Sequence, residues 1–310
     1  MALIETGMEL LQIIFLNTRN KGLTDEMECK KYLFYDDMIR GGGLGHALGC
    51  YSYGIKMAID KDMVFLPHNL ILGHGVGSDG IAENSLGLPL CSNARKYILE
   101  HFPEEVEHIK YDAEKWSPVT CLGGMVQGHD KEAYYLVRKV LWDYYKYRRF
   151  RVDNILKGDV VNIAISIRRG EVALPNEGFS ADHPFRKRLR SEGFYLNAVN
   201  KIIKDKGLGK YHIHILSDGD WSSEGYIDKE GNGCDIYEAF KSHLPNASYF
   251  PTRQDGFRTI TQLQTAVDAD IFVGSISGFS DLIAFYRGEK ETYLPSNESE
   301  DEFYKLDWFS

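Results

Sequence analysis

Several features that mark particular protein classes are scarce or absent in this sequence. The 310 residues include only five cysteines, with no CxxC pair and no histidine cluster beside them, which argues against a disulfide scaffold and against a structural zinc site. Acidic residues outnumber basic ones. The net charge of −9 and the pI of about 5.6 argue against nucleic acid or an anionic membrane as the main partner. No segment reaches the roughly 18 apolar residues that a membrane span requires.

Residues 1–16 are rich in apolar side chains but do not resemble a secretory signal. No basic segment precedes the apolar run, and Glu5 and Glu9 interrupt it, whereas signal peptides have a basic start and an unbroken apolar stretch. We expect an amphipathic helix here. Together with the scattered cysteines, this pattern predicts a cytoplasmic protein without a transmembrane segment.

The composition is that of an ordinary globular protein, with 43% hydrophobic and 26% charged residues. At roughly 100–200 residues per domain, the length fits two domains. The best boundary follows a strong helical pattern at 131–150 and precedes Gly158 and Asp159, which open an apolar strand. We therefore predict two domains, residues 1–155 and 156–310.

Strand and helix patterns alternate in both predicted domains. Strands are predicted at 31–39, 63–66, 160–167, 211–216, 247–250 and 271–273. Helices are predicted at 46–60, 131–150, 194–206, 235–243, 261–268 and 279–286. Such alternation is typical of βαβ units, whose strands form a mostly parallel sheet. The sequence therefore predicts an α/β fold.

The clearest candidate site follows the strand predicted at 160–167. Arg168 and Arg169 come directly after this apolar segment, and Gly170 and Glu171 come next. In open α/β sheets, ligands bind outside the carboxyl ends of the strands. Because a guanidinium matches phosphate oxygens two at a time, the two arginines predict a phosphate-binding site.

A glycine-rich segment at 41–49 lies between a predicted strand and a predicted helix. Gly43 and Gly45 would let the backbone approach a ligand closely, and a helix amino terminus favours an anion. The GxGxxxG spacing departs from the dinucleotide fingerprint, and no acidic residue ends the next strand. A nicotinamide-dependent dehydrogenase is therefore a distant alternative.

Two aspartates, Asp218 and Asp220, follow the strand predicted at 211–216. An Asp-x-Asp pair in this position can hold a divalent metal that bridges the phosphates of a nucleotide sugar. It can also form a polar turn in which Asp218 caps a helix. Both interpretations stay open at the level of the sequence.

The last motif, at 269–280, joins a short apolar strand to a helix through a turn rich in glycine and serine. Ser275, Ser277 and Ser280, with the backbone N–H groups of the helix start, would form an anion-binding cradle. Asp270, at the beginning of the strand, could accept hydrogen bonds from the donor edge of a guanine.

These motifs together resemble the fucosyltransferase-like superfamily of two-domain glycosyltransferases. That group includes the α1,2- and α1,6-fucosyltransferases, the nodulation fucosyltransferase and the protein O-fucosyltransferases. The resemblance rests on segments 43–48, 167–171, 216–218 and 269–280, which follow the family's order over about residues 36–290. Ser166, His46 and Glu171 stand where the family frequently has His, Asn and Asp.

The resemblance implies a GT-B architecture, in which two Rossmann-like domains face a central cleft. The N-terminal domain would bind the acceptor and the C-terminal domain the nucleotide sugar. It further implies GDP-fucose as the donor, a glycan hydroxyl as the acceptor, inversion at the anomeric carbon, and no metal or other cofactor.

The same resemblance implies roles for individual residues. Arg168 would hold the β-phosphate, with Arg169 assisting or structural, and Asp270 would read the guanine. The other implied nucleotide-sugar-binding residues are Gly43, Gly45, Asp218, Ser275, Ser277, Phe279 and Ser280.

The sequence does not settle which group deprotonates the acceptor. The candidates are Glu171, Glu177, His46 and Asp182. His46 is slightly favoured, because the glycine-rich segment before it would face the cleft. Arg168, His46 and Glu171 form the predicted catalytic set.

Two other functional classes stay open. One is a metal-dependent GT-A transferase that uses Asp218 and Asp220. The other is a non-catalytic protein that keeps the fold and binds a carbohydrate or a nucleotide sugar.

Overall fold

The computed structural model describes residues 31–35, 44–67, 70, 81–89, 91–109, 131–148, 151–169, 188–219, 242–244, 246–251, 256–296 and 302–306 of the chain. The chain divides into two compact units, Met1–Arg151 and Val152–Ser310. None of the helices in the described residues has both the length and the apolar character that a membrane crossing requires.

The first unit contains a parallel sheet whose described strands have the order β2-β1-β3. These strands are β1 Tyr32–Tyr35, β2 Val64–Leu66 and β3 Val106–Ile109. The helices are α1 Leu44–Asp60, α2 Ile81–Leu86, α3 Ser92–His101 and α4 Lys131–Lys146. A 3-10 turn at Pro103–Glu105 leads from α3 towards β3.

The core of this unit forms between the sheet and α3. Phe34 of β1 and Leu66 of β2 are fully buried and belong to one apolar cluster with Ala94 and Ile98 of α3. Arg95 on the same helix donates to the carbonyl of Leu66 at 2.5 Å, and its guanidinium lies 4.2 Å from the centre of the Phe34 ring. The ring and the carbonyl together compensate the burial of this charge.

The second unit contains a sheet with the order β6-β5-β4-β7-β8-β9. The strands are β4 Val161–Ile167, β5 Tyr211–Ser217, β6 Ala247–Pro251, β7 Ile271–Val273, β8 Thr292–Pro295 and β9 Phe303–Lys305. The helices are α5 Glu192–Lys206, α6 Gly256–Asp268 and α7 Gly278–Arg287. Neighbouring strands are parallel, except that β9 runs antiparallel to β8.

The strand order of the second unit determines where a ligand can bind. If β4 is counted as the first strand of this unit, the strand order is 3-2-1-4-5-6. This is the order found in dinucleotide-binding α/β domains. The chain moves outwards from β4 through β5 and β6, and then starts again at β7 on the other side of β4. In such sheets the ligand crevice lies where the direction reverses, outside the carboxyl ends of the strands. Here that point lies between the ends of β4 and β7.

The strands of this sheet are apolar because helices cover them. Ile163 and Ile165 of β4 are fully buried and pack in one cluster with Tyr195 and Val199 of α5. Parallel strands that are covered on both faces require near-continuous apolar sequence. This requirement explains why the segment before the two arginines is the clearest strand in the sequence.

A buried polar contact joins β4 and β5 within the sheet. His214 of β5 is fully buried, and its Nε2 lies 2.8 Å from Oδ1 of Asn162. The amide nitrogen of Asn162 donates to the carbonyls of Lys157 and Val160, and its Oδ1 accepts from the N–H of Lys157. Since Oδ1 is thus an acceptor, Nε2 of His214 carries the proton. Burial and the nearby His212 and Lys157 lower the pKa of His214 to about 4, so the ring is neutral at pH 7.

Arg287, at the end of α7, ties together segments at the amino edge of the sheet. Its side chain is 3% exposed. Nη1 donates to the carbonyls of Ala266 at 2.5 Å and Ala269 at 2.8 Å, and Nη2 donates to those of Asp270 at 3.1 Å and Glu291 at 2.8 Å. Burial lowers the pKa of Arg287 to about 10, so the group stays charged at pH 7. One side chain therefore holds the end of α6 and the starts of β7 and β8 together.

The predicted α/β class with mostly parallel sheets is confirmed. Helix α1 begins two residues before the predicted start, and α6 begins at Gly256 rather than at 261, because its first turn exposes Phe257 and lacks apolar spacing. The pattern does not predict α2, α3, β3, β8 or β9, which are short or only partly buried. The helix predicted in residues 1–16, and most of the one at 235–243, lies outside the described residues.

Candidate functional site

The candidate site lies where β4 and β7 end side by side. Ile165 pairs with Val273, so Ile167 and Ser275, each two residues further on, lie at the same level of the sheet. Arg168 follows on one side, and the turn into α7 follows on the other. The reversal of strand order therefore brings together the arginine motif and the serine motif of the sequence.

The side chain of Arg168 contacts the end of the neighbouring strand. Its Nη1 donates to Oδ2 of Asp218, which follows β5. The other carboxylate oxygen of Asp218 accepts from the backbone N–H of Arg169 at 2.6 Å. Both side chains of the ion pair are partly exposed, at 27% for Arg168 and 29% for Asp218. The pair therefore reaches solvent while its orientation is set by two hydrogen bonds.

Arg169 points into the protein. Its side chain is buried, and its guanidinium donates to the carbonyls of Arg168 at 2.8 Å and Arg190 at 3.1 Å. The resemblance allows Arg169 either to assist Arg168 or to have a structural role. These contacts match the structural role. Arg169 joins the end of β4 to the segment that precedes α5.

Three serines form a compact hydroxyl cluster at the start of α7. The hydroxyl of Ser275 lies 3.0 Å from that of Ser277 and 3.1 Å from that of Ser280. Ser277 is the amino-terminal cap of the helix, and its Oγ accepts from the N–H of Ser280 at 3.1 Å. Gly274 precedes the cluster in a tight space, where an added Cβ would lie 2.6 Å from Cδ2 of Leu294 and 3.1 Å from Cβ of Ser280, so these side chains would have to shift. The cluster thus fixes the helix end that faces the carboxyl edge.

Two charged residues join this site although the sequence motifs do not include them. Arg188 is exposed and lies near both Arg168 and Asp281, the latter in the first turn of α7. Although Arg188 reaches solvent, partial desolvation by the surrounding protein lowers its pKa, Arg168 lowers it further, and Asp281 acts in the opposite direction. Burial raises the pKa of Asp281 to about 7, against the opposing effect of Arg188. Perturbed titrations of this kind cluster at functional sites.

Gln262 supports the same edge from α6 and was also missed by the sequence motifs. Its side chain is buried, and Nε2 donates to the carbonyl of Ser217 at 2.8 Å and to that of Phe250 at 2.6 Å. These carbonyls lie at the ends of β5 and β6, next to Asp218. A buried glutamine carries no local sequence signal of such a role, because its partners lie on two other elements.

The structure does not bring Asp270 to this site. Asp270 precedes β7, whereas the serine cluster follows it, so the two lie at opposite edges of the sheet. The carboxylate of Asp270 accepts from the backbone N–H of Asn162, at the start of β4, at 2.8 Å. The role in guanine recognition that the resemblance implies for Asp270 does not fit this position, because a strand separates it from Arg168 and Ser277.

The remaining predicted residues are placed in part or not at all. Phe279 is half-buried in the first turn of α7. Gly45 lies in the first turn of α1 rather than in a turn before the helix, and His46 follows it there, although the side chain of His46 lies outside what the structure describes. Gly43 and the loop residues Glu171, Glu177, Asp182 and Asp220 also fall outside the described residues.

No protein-family model and no curated protein matches the sequence. Among solved structures, the chain is similar to the α-1,6-fucosyltransferase NodZ soaked with GDP-fucose, at 11% identity over 90% of this chain and 99% of that one, with a TM-score of 0.46. NodZ comes from Bradyrhizobium. The chain is also similar to POFUT1 in complex with GDP, at 14% identity over 87% and 99% of the two chains, with a TM-score of 0.43.

A third similar structure is that of a variant of Arabidopsis thaliana FUT1 in complex with GDP. The identity is 11% over 94% of this chain and 76% of that one, with a TM-score of 0.43. NodZ, POFUT1 and FUT1 are fucosyltransferases, the group that the motifs of this chain resemble.

Proposed function

We propose that this chain is a glycosyltransferase that takes a sugar from a nucleoside diphosphate sugar and transfers it to a glycan hydroxyl. The observation that carries the proposal is the position of Arg168. This arginine ends β4 where the strand order reverses, and Asp218 holds it there. A guanidinium carries five N–H donors, so one group can bond a carboxylate and a phosphate together. The motif resemblance supports GDP-fucose as the donor.

The proposed reaction uses the charge at this edge. When an acceptor hydroxyl attacks the anomeric carbon, the bond to the diphosphate breaks and negative charge grows on the phosphate oxygens. Arg168 and the amino end of α7 face the same edge, so they would stabilise this charge more in the transition state than in the ground state. Attack from the side opposite the leaving group inverts the anomeric configuration.

We include independence from metal ions in the proposal. In the metal-dependent alternative, Asp218 would act as a ligand together with Asp220. Both carboxylate oxygens of Asp218 already accept hydrogen bonds from the arginine motif. In the proposed reaction, Arg168 supplies the positive charge that a metal would otherwise supply to the leaving diphosphate.

The acceptor side remains a set of predictions from the sequence. A role for the first unit in acceptor binding, a general base at His46 or Glu171, and a cytoplasmic location all belong to this set. Glu171 and the side chain of His46 lie outside the described residues.

Nucleotide selectivity is the first test. Thermal unfolding is measured with GDP-fucose and with UDP- and dTDP-sugars, in buffer containing a chelator. A ligand at 100 times its dissociation constant stabilises the folded state by about 2.7 kcal/mol. We expect GDP-fucose to raise the melting temperature and the others to do so less. A protein that none of these nucleotides stabilises would contradict the proposal.

Activity is the second test, measured as release of GDP from GDP-fucose in the presence of mixed glycan acceptors. We expect Arg168→Ala to lower turnover by about 10²–10³-fold, as when a single electrostatic donor is removed. Arg151→Ala removes a positive charge from an exposed position and is expected to behave like the wild type. Tight GDP-fucose binding without GDP release by the wild type would instead indicate a non-catalytic binding protein.

A further inference from the structure

We propose that Arg188 is a second diphosphate-binding residue beside Arg168, and that Asp281 competes with the diphosphate for it. The inference rests on the proposed function, since it assigns new residues to the same site. Neither residue is part of the arginine motif or the serine motif of the sequence. Their assignment comes from the path of the chain across the end of the sheet.

The segment that carries Arg188 is anchored to two strands that are not neighbours. The carbonyl of Arg190 accepts from Arg169, which follows β4, and Nη2 of Arg190 donates to the carbonyl of Ser296, which follows β8. Strand β7 lies between β4 and β8. Adjacent strands lie roughly 4.8 Å apart, so the contacts of Arg190 span the end of β7, where the turn into α7 begins.

The anchors leave the side chain of Arg188 at the surface of this edge. Leu189 and Arg190 are buried, whereas Arg188 is exposed. The buried pair fixes the backbone, since Nη1 of Arg190 also donates to the carbonyl of Leu189 at 3.2 Å. The fixed backbone holds Arg188 at this edge, and binding a ligand would then order only its side chain.

The charges around Arg188 favour an anionic ligand. Arg168 lies close enough to disfavour its charged form, so two guanidinium groups share one edge. Two like charges near each other disfavour each other's charged form, and an anion that contacts both would offset this repulsion. A diphosphate is large enough to contact both groups, and its oxygens match guanidinium forks.

Asp281 is an acidic group near Arg188 that favours the charged form of its guanidinium. It lies half-buried in the first turn of α7, with Arg188 on one side and Tyr304 of β9 also within electrostatic range. Its pKa of about 7 means that the carboxylate is partly protonated at neutral pH. A diphosphate beside it would favour the protonated form, so the donor should bind more weakly as pH rises and Asp281 ionises.

The first experiment measures GDP binding by calorimetry to the wild type, Arg168→Ala, Arg188→Ala and Arg151→Ala. We expect Arg188→Ala to weaken GDP binding by about tenfold to hundredfold, the effect of one charge-assisted hydrogen bond. Arg151→Ala is the control, since it also removes an exposed arginine. This variant should bind GDP as the wild type does.

The outcomes separate the two proposals. If Arg168→Ala weakens GDP binding and Arg188→Ala does not, the inference about Arg188 is wrong while the proposed function stands. If the wild type binds no GDP, both are wrong. Melting curves of each variant without nucleotide verify that it is folded.

The second experiment tests Asp281 with GDP-fucose between pH 6 and pH 8. Both phosphates of a nucleotide sugar are esterified, so the ligand lacks the second phosphate ionisation near pH 6. We expect the wild type to lose affinity as pH rises through about 7, and Asp281→Asn, which cannot ionise, to show a flatter profile. Parallel profiles for the two proteins would remove Asp281 from the proposal.

Discussion

The guanidinium of Arg168 and the carboxylate of Asp218 are hydrogen-bonded, although 50 residues separate them in the sequence. Each residue follows the end of its strand, and β4 and β5 are parallel neighbours in the sheet. The second oxygen of Asp218 accepts from the N–H of Arg169, so the carboxylate binds the arginine motif at two points. This arrangement makes Asp218 a positioning residue for Arg168.

We expect Asp218→Asn to lower kcat more than it raises the KM for the donor. The amide can still accept from the N–H of Arg169, but the charge that orients Arg168 is lost. A charge-assisted hydrogen bond is worth roughly 1.5–3 kcal/mol, so a loss of at least about tenfold in kcat/KM is expected. Steady-state kinetics with GDP-fucose measure this change.

A double-mutant cycle with Arg168→Lys serves as the control. If Asp218 acts through Arg168, the effects of the two changes will not add, because the lysine has already lost the fork geometry. Fully additive effects would mean that Asp218 acts independently of Arg168.

The capping serines of two helices allow a controlled test of the serine cluster. Ser277 caps α7 and Ser191 caps α5, and each accepts from the N–H three residues further on. Replacing either by alanine should lower the free energy of unfolding by about 1 kcal/mol. Only Ser277→Ala should also weaken binding of GDP-fucose, because Ser277 belongs to the serine cluster and Ser191 does not. Equal effects of the two changes on binding would argue against a role for the cluster.

His214 predicts a loss of stability in mild acid. Its pKa is about 4 in the folded state and about 6.5 when unfolded, so the unfolded state binds the proton more readily. The stabilisation is therefore complete above pH 6.5 and is lost as pH falls towards 4, by up to about 3 kcal/mol. Urea unfolding at several pH values measures this dependence. His214→Gln keeps a donor for Asn162 and cannot titrate, so its stability should fall less steeply over this range, and an unchanged slope would contradict the assignment.

Arg287 should be among the most sensitive positions for stability. Arg287→Ala would leave the carbonyls of Ala266, Ala269, Asp270 and Glu291 without this donor. Each buried carbonyl that is left without a partner costs about 1–3 kcal/mol, and urea unfolding would show the loss. Arg287→Lys keeps the charge with fewer donors and should recover part of the loss. A change below about 1 kcal/mol in the alanine variant would contradict this role, since that is the effect of one ordinary hydrogen bond.

The reversal point of the sheet could be predicted only in part from the sequence. The strand before Arg168 and the turn from Gly274 to Ser280 were visible because their signals are local: an apolar run, and glycine and serine before a helix. Arg188, Asp281 and Gln262 were missed, because each acts through partners on other elements. For Asp270 the sequence misled in the opposite way, because it suggested a contact that the structure does not form. Asp270 is only five positions from Ser275, but β7 lies between them and places the two at opposite edges of the sheet.

The sequence by itself determined the alternation of strands and helices. It also determined that Arg168 and the serines follow the carboxyl ends of their strands. Both results depend on apolar periodicity and turn chemistry, which are properties of neighbouring residues. Tertiary structure decided that β7 lies beside β4, and hence which charges meet. Strand order depends on how covered faces pack across the whole sheet, and no local pattern records it. The pairing of Arg168 with Asp218, and the approach of Arg188 to both Arg168 and Asp281, are consequences of that packing.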